Sequence, residues 1–341
     1  LRWERQFTIS SMRVVDFHNH FYPPSYVERL TAPATSSRVK VTRDGEGNPC
    51  VHYPGGYNIL VPAHRHIDLR QRVLDEHGIE TQVLTFTTPG VHVEAPELAV
   101  DLARAINDEF AEIVRARHGR FAALATLPLN DAAAAAPELG RSVKKLGLPG
   151  AMVFSNVNHL PISDGRFEPL WTKANELGAV IYIHPTNPAG VESLLEYWLM
   201  PLVGFPFDTT LAAARLVFSG TVERHPRIRW VLTHMGGAIP YLAERLDRGW
   251  RAFSDCRAHI GCPASEYLRS FHYDTVNFSP AAVRLALEFA GAERLLAGSD
   301  YPHQIGSIPL MRETIEKLDL GKDAKRKILG ENAASLLGLN S

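Results

Sequence analysis

Two histidines one residue apart, in Asp16-Phe17-His18-Asn19-His20, could share one ion, because positions i and i+2 of an extended chain project to the same side. Three more candidates stand far along the chain: His184 in Ile183-His184-Pro185, His234 in Leu232-Thr233-His234-Met235-Gly236-Gly237, and Asp300 in Gly298-Ser299-Asp300-Tyr301-Pro302. Each alone has an ordinary explanation. Lone histidines, with His64, His77 and His118 as examples, are expected on the surface or at helix ends, and an aspartate often caps a turn. Taken together, neutral imidazoles and a carboxylate suit a borderline divalent ion such as Zn²⁺, with a position left over for water or substrate.

For these residues to meet, the ends of several strands must converge. Short β-rich runs at residues 13–17, 81–85, 121–126, 150–154, 180–184, 229–233, 275–278 and 295–298 alternate with amphipathic stretches such as 95–118 and 167–177. That alternation predicts an α/β fold with a parallel sheet, and eight β/α units predict a (β/α)8 TIM barrel. Functional groups of such a barrel sit at the C-terminal strand ends. His18 and His20, His184, His234 and Asp300 fall at the ends of the predicted first, fifth, sixth and eighth strands.

Residues 1–12 are read as an N-terminal extension and 13–341 as one barrel domain, with an insertion at about 25–65. Within the insertion, Arg38-Val39-Lys40-Val41-Thr42-Arg43 followed by Asp44-Gly45 predicts a β-hairpin. The 341 residues carry 36 Lys plus Arg against 37 Asp plus Glu, a balance that removes charge as a reason to expect nucleic acid or an anionic membrane. Cys50, Cys256 and Cys262 fit neither a disulfide framework nor a cysteine-rich zinc site, so reduced thiols and a cytoplasmic location are expected. Of the 15 histidines, all but His18, His20, His184 and His234 are expected to be without a chemical role.

Read in order, Asp16-Phe17-His18-Asn19-His20-Phe21-Tyr22-Pro23, Asn158-His159-Leu160, Ile183-His184-Pro185, Tyr197-Trp198-Leu199-Met200-Pro201, Thr233-His234-Met235-Gly236-Gly237, Gly298-Ser299-Asp300-Tyr301-Pro302 and Glu331-Asn332-Ala333 resemble the amidohydrolase superfamily. The resemblance is to its decarboxylase branch, the α-amino-β-carboxymuconate-ε-semialdehyde decarboxylase type. It implies that His18, His20, His184 and Asp300 bind one divalent ion, zinc or in some members manganese. His234 would then be the acid/base residue, with Asp300 as its competitor. Hydrolytic relatives hold two metals with a carboxylated lysine at the end of strand four; Gly150-Ala151-Met152-Val153-Phe154-Ser155 has no lysine, so one metal is expected.

Arg245 is implied to reach the active site of a neighbouring subunit and clamp a substrate carboxylate, which would make the protein a homodimer. A surface arginine paired with Glu244 or Asp247 is the alternative. Phe21 is a candidate for contact with the substrate, and Trp198, with Phe205 and Phe207, could form an aromatic wall for a flat one or equally belong to the core. The branch also places an arginine in the insertion, whereas Tyr57-Asn58-Ile59-Leu60-Val61-Pro62 offers none, and Arg65 and Arg70 are out of register. A less anionic substrate, such as a 2-hydroxybenzoate, is favoured.

The expected function is metal-dependent, non-oxidative decarboxylation of an aromatic (phenolic) or related unsaturated carboxylic acid, a carboxy-lyase reaction on a small molecule. Hydrolysis of a lactone or amide on the same fold is the alternative, and a binding protein without turnover is a third reading.

Overall fold

The computed structural model describes residues 12–32, 37–53 and 56–339; apart from Met12, the expected N-terminal extension lies outside them. Eight strands are each followed by a helix. The first four units are β1 (Val15–His20) with α1 (Ile67–Glu76), β2 (Thr81–Thr85) with α2 (Pro96–Ala116), β3 (Phe121–Ala123) with α3 (Ala132–Lys144), and β4 (Gly150–Phe154) with α4 (Glu168–Leu177). The rest are β5 (Val180–His184) with α5 (Phe205–Phe218), β6 (Arg229–Leu232) with α6 (Ile239–Ala252), β7 (His272–Asp274) with α7 (Pro280–Ala290), and β8 (Leu295–Leu296) with α8 (Ile308–Glu316).

All neighbouring pairs are parallel. One sheet has the order β1-β2-β3 and the other β8-β7-β6-β5-β4. Parallel bridges link the two, Ala125 to Ala151 at one seam and Asn19 to Tyr301 at the other. Strands covered on both faces can be apolar throughout, which is why Val180-Ile181-Tyr182-Ile183-His184 is buried at every position. The helices instead bury one stripe; α2 turns Leu102, Ala103, Ile106 and Phe110 inward at the three- and four-residue spacing of a helix.

Two strands differ from their expected positions in ways that matter. β1 runs on to His20, and its pairing with β2 slips between Asp16 and Asn19. β7 ends at Asp274 rather than starting at Thr275. The Asp274 carboxylate accepts the Val276 N–H at 3.0 Å, so the chain turns before the β-branched pair Thr275-Val276 that suggested a strand.

Between β1 and α1 lies a three-stranded antiparallel sheet of Lys40–Arg43, Pro49–Tyr53 and Gly56–Ile59. Its first turn is closed by Asp44, whose Oδ1 accepts the N–H groups of Glu46 and Asn48 at 2.9 and 2.8 Å. Asn58 fastens it to the frame by donating to the Thr88 carbonyl, after β2, at 2.7 Å. Among the described residues, no helix is long and apolar enough to cross a membrane.

Candidate metal centre

The ends of β1, β5, β6 and the segment after β8 meet at one point. His18 Nε2 and His20 Nε2 lie 3.1 Å apart, and both face Asp300 Oδ1, at 3.5 and 3.2 Å. His184 and His234 complete the cluster from the other side, their rings 5.5 and 5.0 Å from that of His18. Ligand-capable atoms of His18, His20 and Asp300 lie within 4.8 Å of one another, as do those of His18, His184 and His234. His18 belongs to both groups.

The backbone is shaped for this approach. A Cβ on Gly298 would stand 2.6 Å from the Cβ of His18, so only glycine lets the segment after β8 come this close. Asp300, His234 and Met235 hold positive φ values of 57°, 51° and 58°. Such conformations are costly for non-glycine residues and persist where surrounding contacts fix them.

The residues fit a divalent cation. The Nδ1 atoms of His18 and His184 are bonded to Asp274 Oδ2, at 2.6 Å, and to the Pro185 carbonyl, at 2.7 Å, which leaves both Nε2 lone pairs for the centre. Burial first, then the charge of neighbouring imidazoles, holds His20 and His184 well below the ordinary histidine range, so both are neutral, the form that ligates.

A model of the amidohydrolase family matches residues 15–339. The chain belongs to that family. It is 31% identical over 277 residues to a 2-amino-3-carboxymuconate-6-semialdehyde decarboxylase of Dictyostelium discoideum, covering 80% of this chain and 77% of the relative. It is 33% identical over 296 residues to a gamma-resorcylate decarboxylase of Rhodococcus jostii, covering 80% and 88%. Among solved structures, a dihydroxybenzoic acid decarboxylase from Polaromonas, holding manganese and the inhibitor 2-nitroresorcinol, superposes with a TM-score of 0.81. That similarity spans 97% of this chain and 98% of the other at 27% identity.

Other candidates of this amidohydrolase are placed less uniformly. Phe205 meets His184, ring centroids 6.3 Å apart, whereas Phe207 points outward. Trp198 is 58% exposed and its ring meets Tyr57 of the insertion at 6.0 Å. Phe21 is buried, its ring 6.5 Å from that of Phe110 of α2 and 5.4 Å from the guanidinium of Arg70. Arg245 is exposed on α6. Nearby on α6, Glu244 pairs with Arg248 and Arg251, and Asp247 accepts from Ser265.

Several residues packed around the amidohydrolase centre were not among its candidates in the sequence. Asp274 is the acceptor behind His18; burial raises its carboxyl, but the adjacent His18 outweighs this and holds it below its ordinary range. Tyr182 also donates to Asp274, at 2.8 Å. His303 lies against His20, ring centroids 4.8 Å apart, and His64 lies behind His303 at 5.1 Å. His64, expected on the surface or at a helix end, is buried in the short helix Pro62–Arg65. His92 is buried against Phe154, with centroids 4.7 Å apart. The one available signal was position: Asp274 ends its strand as Asp300 follows its own.

Proposed function

We infer that this amidohydrolase is a metal-dependent, non-oxidative decarboxylase of a phenolic or related unsaturated carboxylic acid. The observation that carries the reading is the buried centre in which imidazoles meet the Asp300 carboxylate, bounded at the end of β4 by Phe154, whose ring lies 6.2 Å from His184, and without a lysine on β4. The decarboxylase names of the relatives and of the manganese-holding neighbour agree with it. The bridges at both seams of the eight strands support a closed (β/α)8 barrel, with the insertion over one end.

In this reading His18, His20, His184 and Asp300 hold one divalent ion, for which the donor set suits Zn²⁺ and the manganese of the Polaromonas neighbour supports Mn²⁺. When bound, such an ion draws in the carboxylate and an adjacent oxygen of the substrate and offsets their charge as a Lewis acid. Removal of CO₂ requires a tetrahedral ring carbon first, so a proton must reach the carbon bearing the carboxylate. Burial pushes His234 down to about 4, and its Nδ1 has no partner. It is therefore neutral near pH 7 and takes up the proton of the substrate's ortho hydroxyl. The imidazolium then delivers that proton to the ring carbon, the C–C bond breaks, its electron pair restores the aromatic ring, and CO₂ and a phenolate leave. Asp300, whose Oδ1 faces His18 and His20, is the weaker candidate for this transfer.

Phe205 and Trp198 flank the flat ring in this reading. Arg245 acts across a homodimer: Tyr241, one turn before it on α6, is 78% exposed, and Phe207 and Leu211 of α5 are exposed as well. Free thiols at Cys50, Cys256 and Cys262 support a cytoplasmic location. The test is a panel of 2-hydroxybenzoates, a semialdehyde dicarboxylate and aryl lactones, incubated with metal-loaded enzyme. CO₂ release from the monocarboxylates is expected; ring-opening of lactones without CO₂ from any member would reject the reading.

A further inference from the structure

Arg70 of α1 is wholly buried, yet among the described residues it has no direct carboxylate partner. All five of its N–H donors are used inside the frame. Nε and Nη2 donate to the Ala63 carbonyl at 3.1 and 2.9 Å, and Nη2 also to the His20 carbonyl. Nη1 donates to Asn19 Oδ1 at 2.7 Å and to Gln82 Oε1 at 3.0 Å. The guanidinium is sandwiched between the rings of Phe21 and Tyr301, at 5.4 and 5.1 Å from their centroids. These are the residues that directly follow His20 and Asp300.

The network continues to the other side of the cluster. Gln82 of β2 passes the contact on, its Nε2 donating to Asp16 Oδ2 at 2.7 Å. Asp16 in turn accepts both donors of Ser299, the N–H at 2.9 Å and the hydroxyl at 2.6 Å, and Ser299 directly precedes Asp300. One buried cation thus touches the residue between the two β1 histidines, the carbonyl of the second, the ring after each of His20 and Asp300 and, through Gln82 and Asp16, the residue before Asp300. With every donor occupied, it has none left for a substrate carboxylate.

We propose that Arg70 is a positioning residue of the metal centre: with Gln82 and Asp16 it fixes the spacing between the His18–His20 segment and Asp300, and so sets how tightly the divalent ion is held. A guanidinium suits this because its planar fork serves several acceptors at fixed angles, which an ammonium does not. A desolvated charge tolerated in the interior through a complete hydrogen-bond set is rigid for the same reason, since any displacement leaves a buried group unpaired. The proposal rests on the cluster being a metal site.

The test uses MnCl₂ and the metal-free enzyme, with free Mn²⁺ read by electron paramagnetic resonance at 25 °C for each variant that circular dichroism shows to be folded. Arg70→Lys keeps the charge and loses the fork. Gln82→Met removes the bridge between Arg70 and Asp16, both the acceptor for Arg70 Nη1 and the donor to Asp16, and it decides the matter alone if Arg70→Lys does not fold. Leu139→Ala on α3, buried and remote from the cluster, is the control for general loss of stability. The expected result is a Kd for Mn²⁺ raised about 10- to 100-fold in Arg70→Lys and about tenfold in Gln82→Met, with an altered bound-Mn²⁺ spectrum and no change in Leu139→Ala. An unchanged Kd in folded Gln82→Met, or an equal rise in Leu139→Ala, overturns the proposal. Failure of the unmodified protein to bind one Mn²⁺ would instead overturn the metal reading beneath it.

Discussion

His18 Nδ1 stands 2.6 Å from Asp274 Oδ2, both side chains fully buried, so a proposed metal ligand from the first strand is held by a carboxylate from the seventh. The contact fixes which nitrogen of His18 faces the centre and adds negative charge behind it. Asp274→Asn keeps the shape and removes the charge. Metal affinity is expected to fall about 10- to 100-fold with the fold intact, as measured by chelator competition and circular dichroism. Unchanged affinity would mean that the pair serves packing alone.

His184 and His234 both approach His18, but their expected roles separate on substitution. His184→Ala is expected to lose metal and turnover together, because its Nε2 is left free by the Nδ1 contact to the Pro185 carbonyl. His234→Ala is expected to retain a full equivalent of metal and lose turnover by about 10²- to 10⁴-fold, the range for a lost acid/base group. Metal content by mass spectrometry beside the rate decides it; metal loss in His234→Ala would move that residue into the ligand set.

Arg245 is exposed one turn from exposed Tyr241, which fits a residue that crosses to a partner. Arg245→Ala and His234→Ala, each inactive alone, are expected to recover about a quarter of normal activity after subunit exchange, since half of the dimers then carry one intact site of two. No recovery in demonstrated mixed dimers would return Arg245 to its own surface.

Burial depresses His92 to about 4 from its ordinary 6.5, and its Nδ1 has no partner. The folded protein therefore keeps His92 neutral while the unfolded chain takes up a proton below pH 6.5. Its contribution is fully present above that pH and is lost as pH falls towards 4, about 3 kcal/mol over the whole span. His92→Leu is expected to flatten the decline of unfolding free energy between pH 7 and 4.5, read by urea denaturation. Parallel curves for the two proteins would contradict this.

Much of the architecture was legible because alternation of β-rich and amphipathic runs is a local property, and strands at 81–85, 150–154 and 180–184 lie where periodicity puts them. Where tertiary contacts decide, periodicity misleads. Thr275 and Val276 have the side chains of a strand, but the Asp274 carboxylate turns the chain before them. Arg70 shares the inward face of α1 with Leu74, four residues on, so its burial was written in the helix spacing; its partners on β1 and β2 were not. His303 and His64 are in the same position, since what marks them is a neighbour far along the chain.

In the proposed reaction a proton replaces a carboxylate on a ring carbon. Metal-loaded enzyme is incubated with a 2-hydroxybenzoate in D₂O, and CO₂ is counted against phenol carrying one deuterium at the vacated position. Equal amounts, absent in His234→Ala and in metal-free enzyme, are the expected result. Consumption of a lactone or amide in the same assay, with no CO₂ and no ring deuterium from any carboxylate, would contradict the account.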